Sequence, residues 1–194
     1  MQQAFGVSFR IAGPRDVQTV RDVEYDAAQR FVDVGMTGIA TAPPMDEDFV
    51  RRRIDAAQVI VAVDDAGRVG GFVMFARVSG EGSNPASDHV PDDARIYIEE
   101  LDVLTAWAGR GIGALLIERV AERACAEGTG RLVLSTFRDV PWNAPYYRRL
   151  GFATLDDAQL DADMMARRKR HAAQGLDVSK RVFMVKVLNE PDAA

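Results

Sequence analysis

The chain has 194 residues, and its 29 acidic and 24 basic residues leave a formal net charge of −5 at pH 7. This acidic balance argues against nucleic acid as an obligatory partner, because phosphate binding needs a basic surface. Hydrophobic residues make up 47% of the chain and charged residues 27%, the composition of an ordinary globular protein. The single cysteine, Cys125, excludes an internal disulfide and is typical of a reducing compartment.

No apolar run approaches the roughly 18 residues that a membrane-spanning helix needs, and the start of the chain lacks the pattern of a signal peptide. We therefore expect a cytoplasmic protein with no membrane partner. We expect no metal site, because His89 and His171 are far apart and neither belongs to a cluster with ligand spacing. Both histidines are expected to be solvated surface residues.

The chain is predicted to begin with a strand over Val7–Ile11, which Gly13-Pro14 ends. A helix opened by Pro14 follows. Its apolar side consists of Val17, Val20, Val23 and Ala27. Thr37–Pro44 is predicted to be a loop, and Asp46 is predicted to cap a second helix.

Two β-branched runs, Gln58–Val63 and Val69–Val78, flank a turn sequence and predict an antiparallel hairpin. Ser79–Asp93 is predicted to be a loop. The later elements are a strand over Ile96–Leu104, a helix over Gly111–Glu127, a strand over Leu132–Phe137, a short helix through Tyr146–Leu150, a helix over Asp161–Ala173 and a strand over Val182–Leu188. This order predicts an α/β protein that begins with antiparallel strands and ends in a β-α-β unit.

The most informative segment is the glycine-rich turn Gly109-Arg110-Gly111-Ile112-Gly113, which joins a strand to an amphipathic helix. The first turn of a helix has unpaired backbone N–H groups and the positive end of the helix dipole. Glycines remove the Cβ atoms that would keep an anion away from those groups. The turn therefore predicts a binding site for a phosphate or pyrophosphate.

Two other interpretations of this turn stay open at this point. Glycine can serve only to supply the dihedral angles of a tight connection. Gly109, Gly111 and Ala114 also satisfy the loose dinucleotide fingerprint of a nucleotide-dependent oxidoreductase. That fingerprint expects the strand to run straight into the glycines, whereas Thr105–Ala108 intervenes here.

A second motif lies downstream, where Asn143-Ala144-Pro145-Tyr146-Tyr147 is followed by Gly151-Phe152. Together the two motifs resemble the GNAT superfamily of acetyl-CoA-dependent N-acetyltransferases, over about residues 95–155. The resemblance implies one acetyltransferase domain over residues 1–194, with residues 95–155 as its acetyl-CoA-binding core. It implies a GNAT-like α/β fold: a mixed, mostly antiparallel twisted sheet of about six to seven strands, with a splayed fourth and fifth strand and flanking helices.

The resemblance also implies which residues contact acetyl-CoA. The backbone of Leu101, Asp102 and Val103 would pair with the pantetheine arm. The pyrophosphate would lie on the backbone of Gly109, Arg110, Gly111, Ile112, Gly113 and Ala114. Ala108 stands where the family usually has Arg or Gln, so Arg110 is the candidate for a side-chain contact with phosphate. Asn143 is the candidate for a contact with pantetheine. Its spacing to Tyr147 differs from the usual family spacing, so this contact stays open.

The resemblance implies a general acid and a base as well. Tyr147 would protonate the departing CoA thiolate. The alternative role for Tyr147 is that of a buried aromatic residue whose hydroxyl is a structural hydrogen-bond donor. Alternation along the strand places Glu99 on one face with Leu101, and Glu100 on the other with Asp102. Glu99 is the first choice for the base that deprotonates the amine, and Glu100 the second.

The expected reaction is direct attack of a primary amine of a small molecule on acetyl-CoA, without a covalent acetyl-enzyme. Two alternatives stay open: a protein amine as acceptor, and a non-catalytic module that binds or senses acyl-CoA. Glu24, Asp26 and Asp33 are candidates for recognising a cation or, equally, solvated helix residues. A homodimer stays open too, because sheet edges in this architecture often pair.

Overall fold

The computed structural model describes residues 6–78 and 94–188. The strands in that part of the chain are β1 (Val7–Ile11), β2 (Val59–Asp64), β3 (Val69–Val78), β4 (Arg95–Val103), β5 (Arg131–Phe137), β6 (Ala153–Thr154) and β7 (Arg181–Val187). The α-helices are α1 (Val17–Ala28), α2 (Thr37–Ala40), α3 (Glu47–Asp55), α4 (Ile112–Ala126), α5 (Ala144–Arg149) and α6 (Ala162–Ala173). The predicted loop Ser79–Asp93 and His89 lie outside the described residues.

The strands form one seven-stranded sheet in the order β1-β2-β3-β4-β5-β7-β6. β2 pairs antiparallel with β1 and with β3, and β7 pairs antiparallel with β5 and with β6. The fold class predicted from the sequence, an α/β chain with a mixed, mostly antiparallel sheet, is confirmed. The splay of β4 and β5 stays a prediction.

The described residues divide into two compact units. The first contains the described residues up to Ala76 together with Ile98–Arg123. The second contains the described part of Arg77–Tyr97 and of the chain from Ala124 onward. That all 194 residues act as one domain stays a prediction.

The first unit is built around β2, whose residues 59–63 are all buried. Consecutive side chains point to opposite faces, so both faces of this strand are buried and a continuous apolar run suits it better than alternation. Helix α1 covers it with the four predicted apolar residues, Val17, Val20, Val23 and Ala27, all of them buried. Each buried valine contributes roughly 1.5–3 kcal/mol relative to an exposed one.

Helix α3 begins as predicted, because an Asp46 Oδ1 atom accepts a hydrogen bond from the Phe49 N–H at 2.9 Å. Val50 and Ile54, one turn apart, bury its apolar side. The prediction of a loop over Thr37–Pro44 is wrong at its start, where α2 forms a single helical turn. One turn is too short to show the periodicity by which a helix is predicted.

The second unit is built on β5 and β7, which pair along seven residues from Arg131↔Val187 to Phe137↔Arg181. Strand β6 has only two residues, too few to show an alternating pattern, and was not predicted. Asp161 caps α6, since its Oδ1 atom accepts from the Met164 N–H at 2.9 Å. This helix packs through Met164 on a core that includes Val133 of β5 and Phe183 of β7.

The sequence of the basic run Arg167–His171 predicts an exposed helical face, and this prediction is wrong for part of the run. The Arg167 guanidinium lies 3.8 Å from the centre of the Tyr97 ring, and its Nε donates to Asp163 at 2.8 Å. His171 is half-buried rather than solvated. Lys169 and Arg170 are exposed as expected.

The half-buried position of His171 predicts a loss of stability in acid. Burial, followed by the charges of Arg181, Arg170 and Arg167, lowers its pKa from 6.5 to about 4. Between pH 6.5 and about 4, His171 is therefore protonated in the unfolded chain but neutral in the folded chain. This difference in bound protons makes the free energy of unfolding fall as the pH drops through that range. The fall should be about 2–3 kcal/mol, with allowance for the part of the ring that solvent reaches.

Urea unfolding of the wild type and of His171→Gln at several pH values measures this contribution. The wild type should lose more stability than the variant over that pH range, because glutamine does not titrate. Parallel pH profiles would show that His171 titrates alike in both states.

Among the described residues, no helix is long and apolar enough to cross a bilayer. The same residues contain no group of three or more histidine, cysteine or acidic side chains suited to a metal ion.

Candidate functional site

The predicted phosphate loop precedes α4, and its glycines have the conformation that only glycine adopts easily. Gly109 and Gly111 have φ angles of 76° and 78°. A Cβ atom built on either would meet nothing within 4 Å, so the surface above them is open. The backbone N–H groups of residues 109–114 find no acceptor among residues 6–78 and 94–188. An anion could accept these hydrogen bonds.

The start of the loop is fixed by a contact that the sequence analysis missed. The Trp107 ring lies so close to Gly70 of β3 that a Cβ atom there would be 1.9 Å from it. The Leu104 N–H also donates to the Gly70 carbonyl at 2.9 Å. The pair Gly70-Gly71 inside an otherwise β-branched run was the available signal, because glycine within a strand often marks a close approach.

Asp26 also helps to fix the loop instead of lying on a solvated helix surface. Its Oδ2 atom accepts a hydrogen bond from the Thr105 N–H at 2.6 Å. Arg110, the candidate for a side-chain contact with phosphate, turns back and donates to the Ala106 carbonyl at 3.0 Å. Arg110 is exposed, and its contact with a phosphate stays a prediction.

Glu99 of β4 forms a bidentate ion pair inside the first unit. Its two carboxylate oxygens accept from Nε and Nη2 of Arg53, each at 2.6 Å. Arg53 is held further by Gln58, 3.1 Å away, and by the Phe49 ring, whose centre is 5.1 Å from the guanidinium carbon. A Glu99 carboxylate that accepts a proton would have to give up part of this pair.

Asp102 of β4 interacts with two further carboxyl groups, Glu100 of the same strand and Glu24 of α1. Burial, followed by the negative charges of Glu100 and Glu24, raises the pKa of Asp102 well above its ordinary value, while Arg30 opposes the rise. Burial likewise raises the pKa of Glu24, which also accepts a hydrogen bond from the Met45 N–H at 2.8 Å. The predicted alternation, with Glu100 and Asp102 on one face and Glu99 on the other, stays a prediction. We call Glu24, Glu100 and Asp102 the carboxylate cluster.

Tyr147 lies in α5 of the second unit and is buried, with 8% of its surface exposed. Its ring forms edge contacts with Tyr146 and Phe152, each with a centroid distance of 5.6 Å. The helix ends as predicted, because Gly151 adopts a φ of 87° and the Phe152 N–H donates back to the Tyr147 carbonyl at 3.1 Å. The motif therefore fixes the tyrosine ring from both sides.

Asn143 immediately precedes α5 and has one polar atom that lacks a partner. Its Nδ2 donates to the Thr136 Oγ1 of β5 at 2.7 Å, which fixes the orientation of the amide. Its Oδ1 is buried and accepts no hydrogen bond from the described residues. A buried acceptor without a donor costs about 1–3 kcal/mol, so a ligand N–H is its natural partner.

The sequence pattern of the Acetyltransferase (GNAT) family matches residues 26–152, more than half of the chain. The chain belongs to the GNAT acetyltransferase family. The matched residues contain the phosphate loop, the carboxylate-bearing part of β4 and helix α5, so both motifs of the sequence analysis fall inside the family pattern.

Solved structures resemble this GNAT chain over most of its length. N-acetylglutamate synthase from Neisseria gonorrhoeae, complexed with coenzyme A and N-acetyl-glutamate, is 17% identical with a TM-score of 0.64. The match covers 94% of this chain but only 35% of the synthase. A GNAT-family acetyltransferase from Listeria monocytogenes is 15% identical, with a TM-score of 0.64 and coverage of 94% and 95% of the two chains.

A third structure is a GNAT-family acetyltransferase from Brucella melitensis in complex with acetyl-CoA. It is 27% identical to this chain with a TM-score of 0.52, and the match covers 76% of this chain and 82% of that one. Two of these three GNAT structures thus hold coenzyme A or acetyl-CoA. The first two similarities establish the fold, and the family pattern establishes the membership.

Within each unit, the structure brings together part of the predicted site. In the first unit, β4 carries Glu99 and Glu100 and leads through Leu101, Asp102 and Val103 toward the loop at 109–114. In the second unit, α5 carries Tyr147 and follows Asn143 directly. The roles of these residues in this GNAT chain are proposals.

Proposed function

We propose that this protein transfers the acetyl group of acetyl-CoA to a primary amine of a small molecule. The observation that carries the proposal is the loop at 109–114, whose N–H groups find no acceptor in the described chain and whose glycines leave open space. A pyrophosphate supplies the acceptors that these groups lack. Because the family pattern spans the loop, we expect this pyrophosphate to be that of acetyl-CoA.

Two further groups of residues are proposed to contact the rest of acetyl-CoA. The pantetheine arm contains amide groups, and the buried Oδ1 of Asn143 can accept a hydrogen bond from one of their N–H groups. The backbone of Leu101, Asp102 and Val103 would pair with the same arm. The thioester supplies an acetyl group that a neutral amine can attack directly, so no covalent acetyl-enzyme is needed.

We place the base in the carboxylate cluster. An amine bound as an ammonium ion must lose a proton before it attacks, and a carboxyl whose pKa lies nearer to neutrality is the better acceptor. Burial and the charges of Glu100 and Glu24 give Asp102 this property, and its side chain makes no hydrogen bond with the described residues. Glu99, the first choice from the sequence, is engaged by Arg53 through both oxygens.

The same cluster favours a cationic acceptor. The charges of Glu100 and Glu24 raise the pKa of Asp102, and a neighbouring cation such as an ammonium ion would offset their repulsion. Asp102 is the proposed proton acceptor, and Glu24 and Glu100 are proposed to hold the ammonium ion. A non-catalytic module that only binds acyl-CoA would need the loop but not this cluster.

Tyr147 is the proposed general acid. Its phenol would give a proton to the CoA sulfur as the thioester breaks, so the leaving group departs as a thiol. The edge contacts with Tyr146 and Phe152 hold the ring in one orientation, which a proton donor requires. The cytoplasm, which keeps a single cysteine reduced, is the expected location of the reaction.

Two glycine variants test whether the loop binds the cofactor. Gly111 and Gly67 have φ angles of 78° and 77°, and a Cβ atom on either would meet nothing within 4 Å. Alanine should therefore cost both variants a similar amount of stability, about 1–2 kcal/mol. Only Gly111→Ala places a methyl group where the pyrophosphate would lie, so we expect it to weaken CoA binding roughly tenfold or more, about 1.4 kcal/mol.

Calorimetric titration of CoA into both variants and the wild type gives the answer. Gly67→Ala is the matched control, because it has the same backbone strain in the β2–β3 turn. Equal CoA affinity in the two variants would show that the loop does not hold the pyrophosphate.

A further inference from the structure

The second unit contains a polar cavity that the proposed acetyl transfer does not use. Its volume is about 260 Å³, below the roughly 300–1,000 Å³ of pockets for drug-sized ligands. It lies where β5 and β6 end, where β7 begins and beside α6. The polar side chains that line it include Arg138, Thr154, Asp156, Asp157, Arg168 and Arg181.

The cavity has an excess of positive charge. Its three guanidinium groups face two carboxylates, Asp156 and Asp157. One carboxylate is already engaged, because Asp157 Oδ1 accepts from Nη2 of Arg168 at 2.6 Å. The lining therefore presents more cationic donors than its own acidic groups can neutralise.

Two of the arginines lie at the ends of the central strands, and Arg181 is held in place there. Arg181 Nη2 donates to the Ser135 carbonyl at 2.8 Å, and its guanidinium carbon lies 4.7 Å from the centre of the Phe137 ring. Arg138 follows β5 directly, and its side chain makes no hydrogen bond or ion pair with residues 6–78 and 94–188. A fixed guanidinium beside one with unused donors is a suitable receptor for an anion.

The lowered pKa of the neighbouring His171 is consistent with a positive potential near this cavity. After burial, the charge of Arg181 contributes most to the lowered pKa of His171, followed by those of Arg170 and Arg167. Of these three arginines only Arg181 lines the cavity, where its charge adds to those of Arg138 and Arg168. A small anion would reduce the repulsion among these cations.

We propose that this cavity binds a small ligand through a carboxylate group, held by the guanidinium groups of Arg138 and Arg181. A carboxylate matches the planar two-donor edge of a guanidinium. A carboxylate group brings one negative charge close to Asp156 and Asp157, whereas a phosphate dianion would bring two, and the volume suits a compact group. This binding does not depend on the acetyl transfer proposed above.

The test uses succinate as the probe and follows the arginine Nε–Hε signals of the full chain by nuclear magnetic resonance, at constant ionic strength. Succinate should cause saturable shifts, including the signal that disappears in Arg138→Gln. Its neutral analogue succinamide should cause none, and inorganic phosphate should bind more weakly. Arg138→Gln should weaken succinate binding at least fivefold.

Arg131→Gln is the matched control, because Arg131 is an exposed arginine at the other end of β5. Its substitution removes the same charge as Arg138→Gln. It should bind succinate like the wild type. Absence of saturable shifts, equal affinity in Arg138→Gln and the wild type, or tighter binding of phosphate would each overturn the proposal.

A rate measurement distinguishes two sources of the carboxylate. If it belongs to the acceptor amine, Arg138→Gln should raise KM for amino acids but not for their amides, with kcat unchanged. If it belongs to a separate effector, succinate should change the transfer rate without competing with the amine, and Arg138→Gln should abolish that response. Should no amine be acetylated at all, the binding experiment still tests the cavity by itself.

Discussion

Replacement of Tyr147 by phenylalanine is expected to lower kcat roughly a hundredfold while leaving CoA affinity unchanged, because general acid catalysis contributes about 10²–10⁴ in rate. The substitution keeps the ring that contacts Tyr146 and Phe152 and removes only the hydroxyl. Packing should thus be retained. Steady-state release of free thiol from acetyl-CoA gives kcat, and calorimetry gives the affinity for CoA.

Tyr146→Phe is the control, since it removes a hydroxyl from the neighbouring residue of the same helix. Burial raises the pKa of Tyr146, which makes its phenol the poorer proton donor. This variant should retain nearly the full rate. A kcat unchanged in Tyr147→Phe, or lowered equally in both variants, would remove Tyr147 from the chemistry and leave it a structural aromatic.

Replacement of Asp102 by asparagine is expected to lower kcat/KM for the amine by roughly 10²–10³ at pH 7. Asparagine keeps the size of the side chain but cannot accept the proton. The acidic limb of the pH–rate profile should also disappear, because it reports ionisation of this carboxyl. Initial rates at amine concentrations well below KM, measured across pH with acetyl-CoA saturating, provide both quantities.

The same variant should be more stable than the wild type at neutral pH. The folded-state pKa of Asp102 is raised, so the stability present below its unfolded pKa is lost as the pH rises through the folded value. Asparagine does not ionise and avoids that loss. A gain of about 1 kcal/mol would raise Tm by about 2–4 °C in a protein of this size, with Asp139→Asn as an exposed control that should change little.

Glu99→Gln decides between the two carboxylates on β4. It leaves the partly buried Arg53 without half of its ion pair, so the free energy of unfolding should fall by about 1–3 kcal/mol. The rate of the folded fraction should fall less than in Asp102→Asn. A larger fall in Glu99→Gln would identify Glu99 as the base, as the family resemblance implies.

Most of the fold could be predicted because its signals are local. The apolar spacing in α1, the cap at Asp46 and the turn between β2 and β3 depend on residues a few positions apart. The errors fall where local signals are weakest: α2 is a single turn, and β6 has two residues. In such short elements the surrounding structure decides the conformation.

The candidate site could be predicted only in part. Alternation along β4 groups Glu100 with Asp102, and the charge of Glu100 does act on Asp102. It could not predict that Arg53, 46 residues away in sequence, would engage Glu99, or that Glu24 of α1 would couple to Asp102. These partners come from distant elements, and no spacing rule within one element contains them. The contact of Trp107 with Gly70 has the same origin.

The most direct test of acetyl transfer is release of free thiol from acetyl-CoA in the presence of a panel of polyamines, amino acids, aminoglycosides and peptides. Mass spectrometry of the amine after each reaction identifies the acetylated product. We predict that at least one small-molecule amine accelerates thiol release and gains one acetyl group on a primary amine. In Asp102→Asn and Tyr147→Phe this acceleration should be lost. CoA binding with no acceleration by any amine would contradict it and leave a module that only binds acyl-CoA.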